Sequence, residues 1–291
     1  MQAQRQKNSI IVPTGAKGGF VIKQSRAGKD DFLKYYKLYI NSLLDMIDNK
    51  IGEETVKNPN ILHYDGNDTY FVVAADKGTS GVSDVANVIA KGRGFWLDDA
   101  FASGGSMGYN HKEMGITAKG AIKSVERFFV EIGKNIYKER ISVIGIGSPA
   151  GDVFGNGMLL SESFALIGAV SSKELFIDPN PDVKKAFTER KRLFEGNLGW
   201  SAYDRSLISE GGGVFKKSDK EILLSKEIKT VLGIKKDTLN GEELTRHLLC
   251  AKVDMLFNGG VGTYVKASFE SSAEVGDKPN ASVRVNAKDI R

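Results

Sequence analysis

The segment ISVIGIGSPAGDVFGNGMLL, residues 141–160, limits what this chain can fold into more than any other stretch. The short apolar run 141–146 meets Gly145 and Gly147, Ala150 and Gly151 follow, and apolar residues then recur at Val153, Met158, Leu159, Phe164 and Ile167. Strand, glycine turn and helix in that order is the setting in which a GxGxxA pattern predicts a dinucleotide site. Gly145 permits the tight turn, and Gly147 lets backbone approach a pyrophosphate. Ala150 lets helix and strand pack closely, while the helix start at Gly151 offers unpaired N–H groups to an anion. The plainer alternative is an ordinary strand-to-helix turn with no ligand.

An acidic residue at the end of the next strand would complete the pattern. ELFI, residues 174–177, reads as that strand, and Asp178 ends it. A carboxylate there accepts bonds from ribose hydroxyls and repels a 2′-phosphate, which favours NAD over NADP. Asp178 can equally be a turn former.

A chain of 291 residues holds one large or two ordinary domains. The single cysteine, Cys250, fits a reducing compartment. The start MQAQRQKN has no apolar leader core, and no apolar run approaches the roughly 18 residues of a membrane span. We therefore expect a cytoplasmic protein. The net charge of +5 is dispersed, with short clusters such as Arg190, Lys191 and Arg192 expected on a solvated helix face, so no nucleic-acid partner is expected.

In chain order, residues 9–13 (SIIVP) read as a buried strand running into a glycine-rich loop around Lys17. A lysine so placed can sit close to a ligand, and desolvation lowers its pKa toward working pH; a solvated surface turn would look the same. Residues 30–47 read as an amphipathic helix with Leu33, Tyr36, Ile40, Leu43 and Ile47 on one face, followed by turn signals in 50–69. Residues 70–75 (YFVVAA) form another strand candidate, and Asp76 ends it. Ligands of open α/β sheets gather at the carboxyl ends of strands, so Lys17 and Asp76 are candidates for a proton-transfer pair. Capping of a helix at 83–90, or pairing with Lys77, is the alternative for Asp76. The glycine- and aromatic-rich stretch 91–115 reads as a loop wrapping a cleft, and its His111 lacks companions at metal-ligand spacing.

Thr117 reads as the N-cap of a helix to Ile132, with Ala121, Val125, Phe128 and Ile132 on one face. The domain boundary is placed there, giving domains 1–116 and 117–291. Beyond Asp178 we expect helices at 182–194, from a Ser218/Glu221 capping box to Val231, and from an Asn240/Glu243 box to about Cys250. A last strand at 253–257 ends on Asn258 and a glycine-rich tip, suited to the nicotinamide half of a dinucleotide.

Together IVPTGAKGGFV, VVAADKGT, FWLDDAFASGGSMGYNHKEMGITAKGA, GDVFGNGMLLS, FIDPNPD, ERKRLFE and VDMLFNGGVGTYVKAS resemble the large bacterial-type NAD-specific glutamate dehydrogenases, in collinear order along nearly the whole chain. The resemblance implies an α/β fold: a Rossmann-like dinucleotide-binding domain preceded by a partial α/β substrate domain. It implies oxidative deamination of L-glutamate to 2-oxoglutarate and ammonia with NAD, with Lys17 and Asp76 as catalytic residues. Gly145, Gly147, Ser148, Ala150 and Gly151 would line the cofactor, with Asp178 at the ribose and Asn258 near the nicotinamide. Thr117, in a segment similar to the TGRG stretch of smaller glutamate dehydrogenases, would join Lys17 at the substrate. Family members are longer on both sides, so we expect a fragment, acting in a homo-oligomer when full-length. A dehydrogenase of another amino acid and a noncatalytic NAD-binding module are the competing readings.

Overall fold

The structure, a computed structural model, describes residues 19–24, 28–64, 66–73, 80–102 and 110–290. The chain separates into two compact units, Met1–Met114 and Gly115–Arg291.

In the first unit, helix α1 (Lys29–Met46) buries Tyr36, Ile40 and Leu44, the stripe that three- and four-residue spacing dictates. It packs with helix α2 (Ser80–Gly92) around Ala86, Ala90 and Phe101. The turn-rich segment after α1 holds a small antiparallel hairpin of β1 (Asn49–Ile51) and β2 (Glu54–Val56). The strand expected at 70–75 is a single bridge among the described residues: Val73 pairs with Ala102, whose backbone is also bonded on both sides by the Asn87 carboxamide. Helix α3 (His111–Met114) closes the unit.

The second unit is mixed α/β. Its five-stranded sheet has the order β6-β5-β4-β3-β9, with β3 at Ile141–Ile146, β4 at Phe164–Val170, β5 at Glu174–Ile177, β6 at Gly213–Lys216 and β9 at Met255–Asn258. Strands β9, β3 and β4 are parallel, whereas β5 runs antiparallel to both β4 and β6. One face of the sheet packs on helices α7 (Lys226–Leu232) and α8 (Gly241–Leu249), beside which β7 (Ile222–Leu223) pairs with β8 (Thr238–Leu239). The other face packs on α4 (Ile116–Glu131), α5 (Asp152–Met158) and α6 (Val183–Glu195).

Several expectations change. Helix α5 stops at Met158; Ser161 then turns its hydroxyl onto the Ile136 carbonyl, and Phe164 and Ile167, read as helix, lie in the wholly buried strand β4. Buried on both faces, that strand shows no alternation to separate it from a helix. Thr117 is not an N-cap: Gly115, in a left-handed conformation, starts α4, and Thr117 is an exposed residue inside it. The buried face of α4 is Ala118, Ile122 and Phe129, one position round from the expected stripe, which leaves Phe128 and Ile132 exposed. Ser225, rather than Ser218, caps α7. The Asn240/Glu243 capping box opens α8 as expected.

Arg190 also departs from its solvated reading. It is 2% exposed, and its guanidinium donates to the carbonyls of Met158 and Phe164, joining the end of α5 to the start of β4. Burial lowers its pKa to about 10, so it stays charged at neutral pH.

Candidate functional site

The carboxyl ends of the three parallel strands share one rim of the sheet. Ile146 of β3 lies opposite Val170 of β4 on one side and Asn258 of β9 on the other. Gly147 and the β9 tip 258–260 therefore stand side by side, and the Gly259 N–H donates to the Ile146 carbonyl at 2.9 Å.

The glycines of this rim answer first to packing. A Cβ on Gly145 would lie 2.1 Å from the Phe154 ring, and one on Gly147 would lie 2.4 Å from the Phe154 Cβ. A Cβ on Gly259 would meet the Phe154 backbone at 2.7 Å, and one on Gly260 the Ile146 carbonyl at 3.0 Å. Two glycine turns thus lie backbone to backbone over the first turn of α5. Gly147 additionally holds φ +153, which side-chain-bearing residues rarely adopt. The turn continues through Ser148 and Ala150, both half-buried, to Gly151, the N-cap of α5. The Gly151 N–H donates to the Ser148 carbonyl at 2.9 Å.

Trp200, in a short 3-10 helix (Trp200–Ala202), is fully buried against this turn. Its indole N–H donates to the Gly147 carbonyl at 3.1 Å. Its ring stacks on Phe176 at 4.7 Å and meets Phe154 edge-on. Nothing in the sequence analysis singles it out; a tryptophan set directly after Gly199 was the available signal.

Asp178 does not reach the rim. Because β5 runs back along β4, Asp178 lies beside Ile167, whose carbonyl accepts its N–H at 2.8 Å. The carboxyl is fully buried, and its Oδ1 accepts both the hydroxyl and the N–H of Ser209. Burial raises its pKa, and the Ser209 bonds oppose the rise. At the end of β4 stand instead Ser171, Ser172 and Lys173, with Glu174 opening β5. The connection 171–173 is too short for a parallel crossover and long enough for a hairpin, which is the signal that locates this turn once β4 is recognised as a strand.

Asn258 is exposed beside Gly147. Lys17 and Asp76 lie outside the described residues. Among the described residues no group of three or more His, Cys, Asp or Glu is placed to hold a metal ion.

The rim can offer a ligand an amide donor at Ser148, the Asn258 carboxamide, and the hydroxyl and ammonium of Ser172 and Lys173. The Ser148 N–H has no partner among the described residues, and an unengaged donor on a glycine turn suits a phosphate oxygen. These residues fit a dinucleotide lying along the rim, with Asn258 able to pair with a carboxamide.

Fold and rim define a mixed α/β protein with a strand–glycine turn–helix unit at the carboxyl ends of parallel strands. Over residues 1–291 the chain matches the catalytic domain of bacterial NAD-glutamate dehydrogenase, and it belongs to that family. It is 51% identical over 298 residues to the NAD-specific glutamate dehydrogenase of Pseudomonas aeruginosa, covering 18% of that protein. The proteins of the same name from Mycobacterium tuberculosis and Halomonas elongata are 50% and 49% identical over 311 and 297 residues, with 19% and 18% covered. The chain thus spans less than a fifth of the length of these relatives, and each match takes in all of it.

Proposed function

We propose that this chain supplies the NAD-binding region and part of the substrate-binding region of a glutamate dehydrogenase, which in the longer protein converts L-glutamate to 2-oxoglutarate and ammonia. The observation that carries this reading is the β3–glycine turn–α5–β4 unit with Asn258 beside it, in a chain whose relatives at about half identity bear that name. The residues from 117 onward form a Rossmann-like, cofactor-binding domain in this reading, and 1–116 part of the substrate domain.

Residues 147–151 would hold the pyrophosphate of the dinucleotide, and Asn258 its nicotinamide. Residues 171–173 of the β4–β5 turn would meet the adenosine ribose, in place of the position first expected at Asp178. NAD, when bound there, would supply the hydride acceptor for the oxidation. Lys17 activates the water that attacks the iminium carbon, and Asp76 moves protons to and from the nitrogen. Lys17 and Thr117 would each take part in substrate binding. Lys17, Asp76 and Thr117 take these roles from the family resemblance alone.

Replacing Lys17 with Ala in the longer protein is expected to abolish glutamate turnover while NADH affinity, read by fluorescence, persists. Turnover equal to the parent's removes Lys17 from the chemistry. Faster turnover of leucine than of glutamate by the parent protein would reassign the substrate.

A further inference from the structure

The backbone of the glycine turn is almost fully committed within the fold. The Gly147 N–H donates to the Val170 carbonyl at 2.8 Å, the Gly147 carbonyl accepts the Trp200 indole, and the Ser148 carbonyl accepts the Gly151 N–H. Among the described residues, only the Ser148 N–H of these groups is left without a partner. In a trans peptide the C=O and the following N–H point in opposite directions. Holding the Gly147 oxygen against Trp200 therefore turns the Ser148 N–H away from the indole.

Trp200 is itself anchored. The Glu174 carboxylate accepts the Trp200 N–H at 3.0 Å through Oε2 and the Ser201 N–H at 3.2 Å through Oε1. Glu174 opens β5, at the end of the sheet where Gly147 lies, since Val170 pairs with both Ile146 and Leu175. Gly199 lets the chain approach closely: a Cβ there would stand 3.2 Å from Glu174 Oε2. A continuous set of bonds thus runs from the Glu174 carboxylate through the Trp200 backbone and indole to the Gly147 carbonyl.

We infer that Trp200, held by Glu174, is a positioning residue that fixes the Gly147–Ser148 peptide so that the Ser148 N–H is presented to a dinucleotide phosphate. This rests on the reading of the rim as a dinucleotide site. The competing account is that a buried indole N–H needs some acceptor and Gly147 happens to supply it. The two accounts differ in what loss of the indole N–H does to ligand binding.

The test is NADH affinity of the chain by fluorescence titration, joined to hydrogen–deuterium exchange across residues 147–151 with and without NADH. Trp200→Phe keeps an aromatic ring between Phe176 and Phe154 but removes the donor. It is expected to weaken NADH binding about tenfold and to abolish the NADH-dependent protection of 147–151. Glu174→Gln retains one acceptor and should fall between the parent and Glu174→Ala, which should match Trp200→Phe. If Trp200→Phe does not fold, the two Glu174 variants decide the matter alone. Unchanged affinity and protection in the folded variants overturns the positioning role and leaves the dinucleotide reading standing. Parent protein that binds no NADH defeats that reading itself, and this inference with it.

Discussion

The two faces of the five-stranded sheet are built from different materials. On one, Ile144, Ile146, Val170, Leu175 and Ile177 meet Ile228, Leu232, Leu244 and Leu248, an almost purely aliphatic contact. On the other, Phe154, Phe164, Phe176, Trp200, Tyr203 and Phe257 form an aromatic layer set among aliphatic residues such as Ile122, Ile141, Val143 and Leu166. Branched aliphatic chains interlock with a strand surface directly, and on their side Gly168 makes room for Leu248. Rings are broader, and Gly145, Gly147 and Gly157 all give way to Phe154 or Phe257. The aromatic side also brings polar handles into the interior, so it can grip backbone as well as exclude water. The glycines of the turn are therefore explained by ring packing first, and the ligand-facing amide follows from how the rings hold them.

Truncation on the aliphatic face tests that division most severely. Leu248→Ala should cost about 3 kcal/mol in urea unfolding while NADH affinity stays as it is. A loss of affinity without a loss of stability would erase the distinction between the faces. Gly145→Ala, whose Cβ would lie 2.1 Å from the Phe154 ring, should cost about 2 kcal/mol and also weaken NADH binding. Phe154→Leu in the same chain should recover part of both. Failure to recover either would mean that the ring is not what demands the glycine.

The smallest effect lies at the opposite end of the strands. Partial burial would raise the Asp254 carboxyl, but bonds from Lys134 and from the Ser142 hydroxyl and N–H hold it at about 2. A carboxyl lowered from its ordinary 3.8 adds stability that is complete above that value and disappears as pH falls through about 2. Asp254→Asn should therefore flatten the acid limb of a stability–pH profile between those values and leave the nucleotide rim untouched. An unaltered acid limb would show that these bonds add nothing.

The pattern of the chain discloses local features better than strand direction. The run 141–146 and its glycines specified β3 and its turn, and Asn240 with Glu243 specified the start of α8, because each depends on neighbouring residues alone. Strand β4 was hidden because all seven of its residues are buried, so hydrophobicity carried no period. With β4 taken for helix, nothing marked β5 as a returning strand, and Asp178 was expected at the rim instead of beside Ile167 in the middle of β4. Arg190 was misplaced for a related reason: a basic run says nothing of which member turns inward to the Met158 and Phe164 carbonyls. Trp200 escaped notice because its partners, Glu174 and Gly147, come together only in three dimensions.

The pairing of β3 with β4 slips between Val143 and Ile144, where Val143 faces Leu166 but Ile144 faces Gly168. The skipped residue, Ile167, lets Ala169 stay with the aromatic layer and Val170 with the aliphatic one. Deleting that single residue would leave Leu166, Gly168, Ala169 and Val170 opposite the same β3 partners in plain alternation, removing the slip and one aliphatic side chain without turning any later residue over. A one-residue gap at 167 is thus compatible with the facing of the rest of the strand, at the cost of the Ile167 contact with the aliphatic layer.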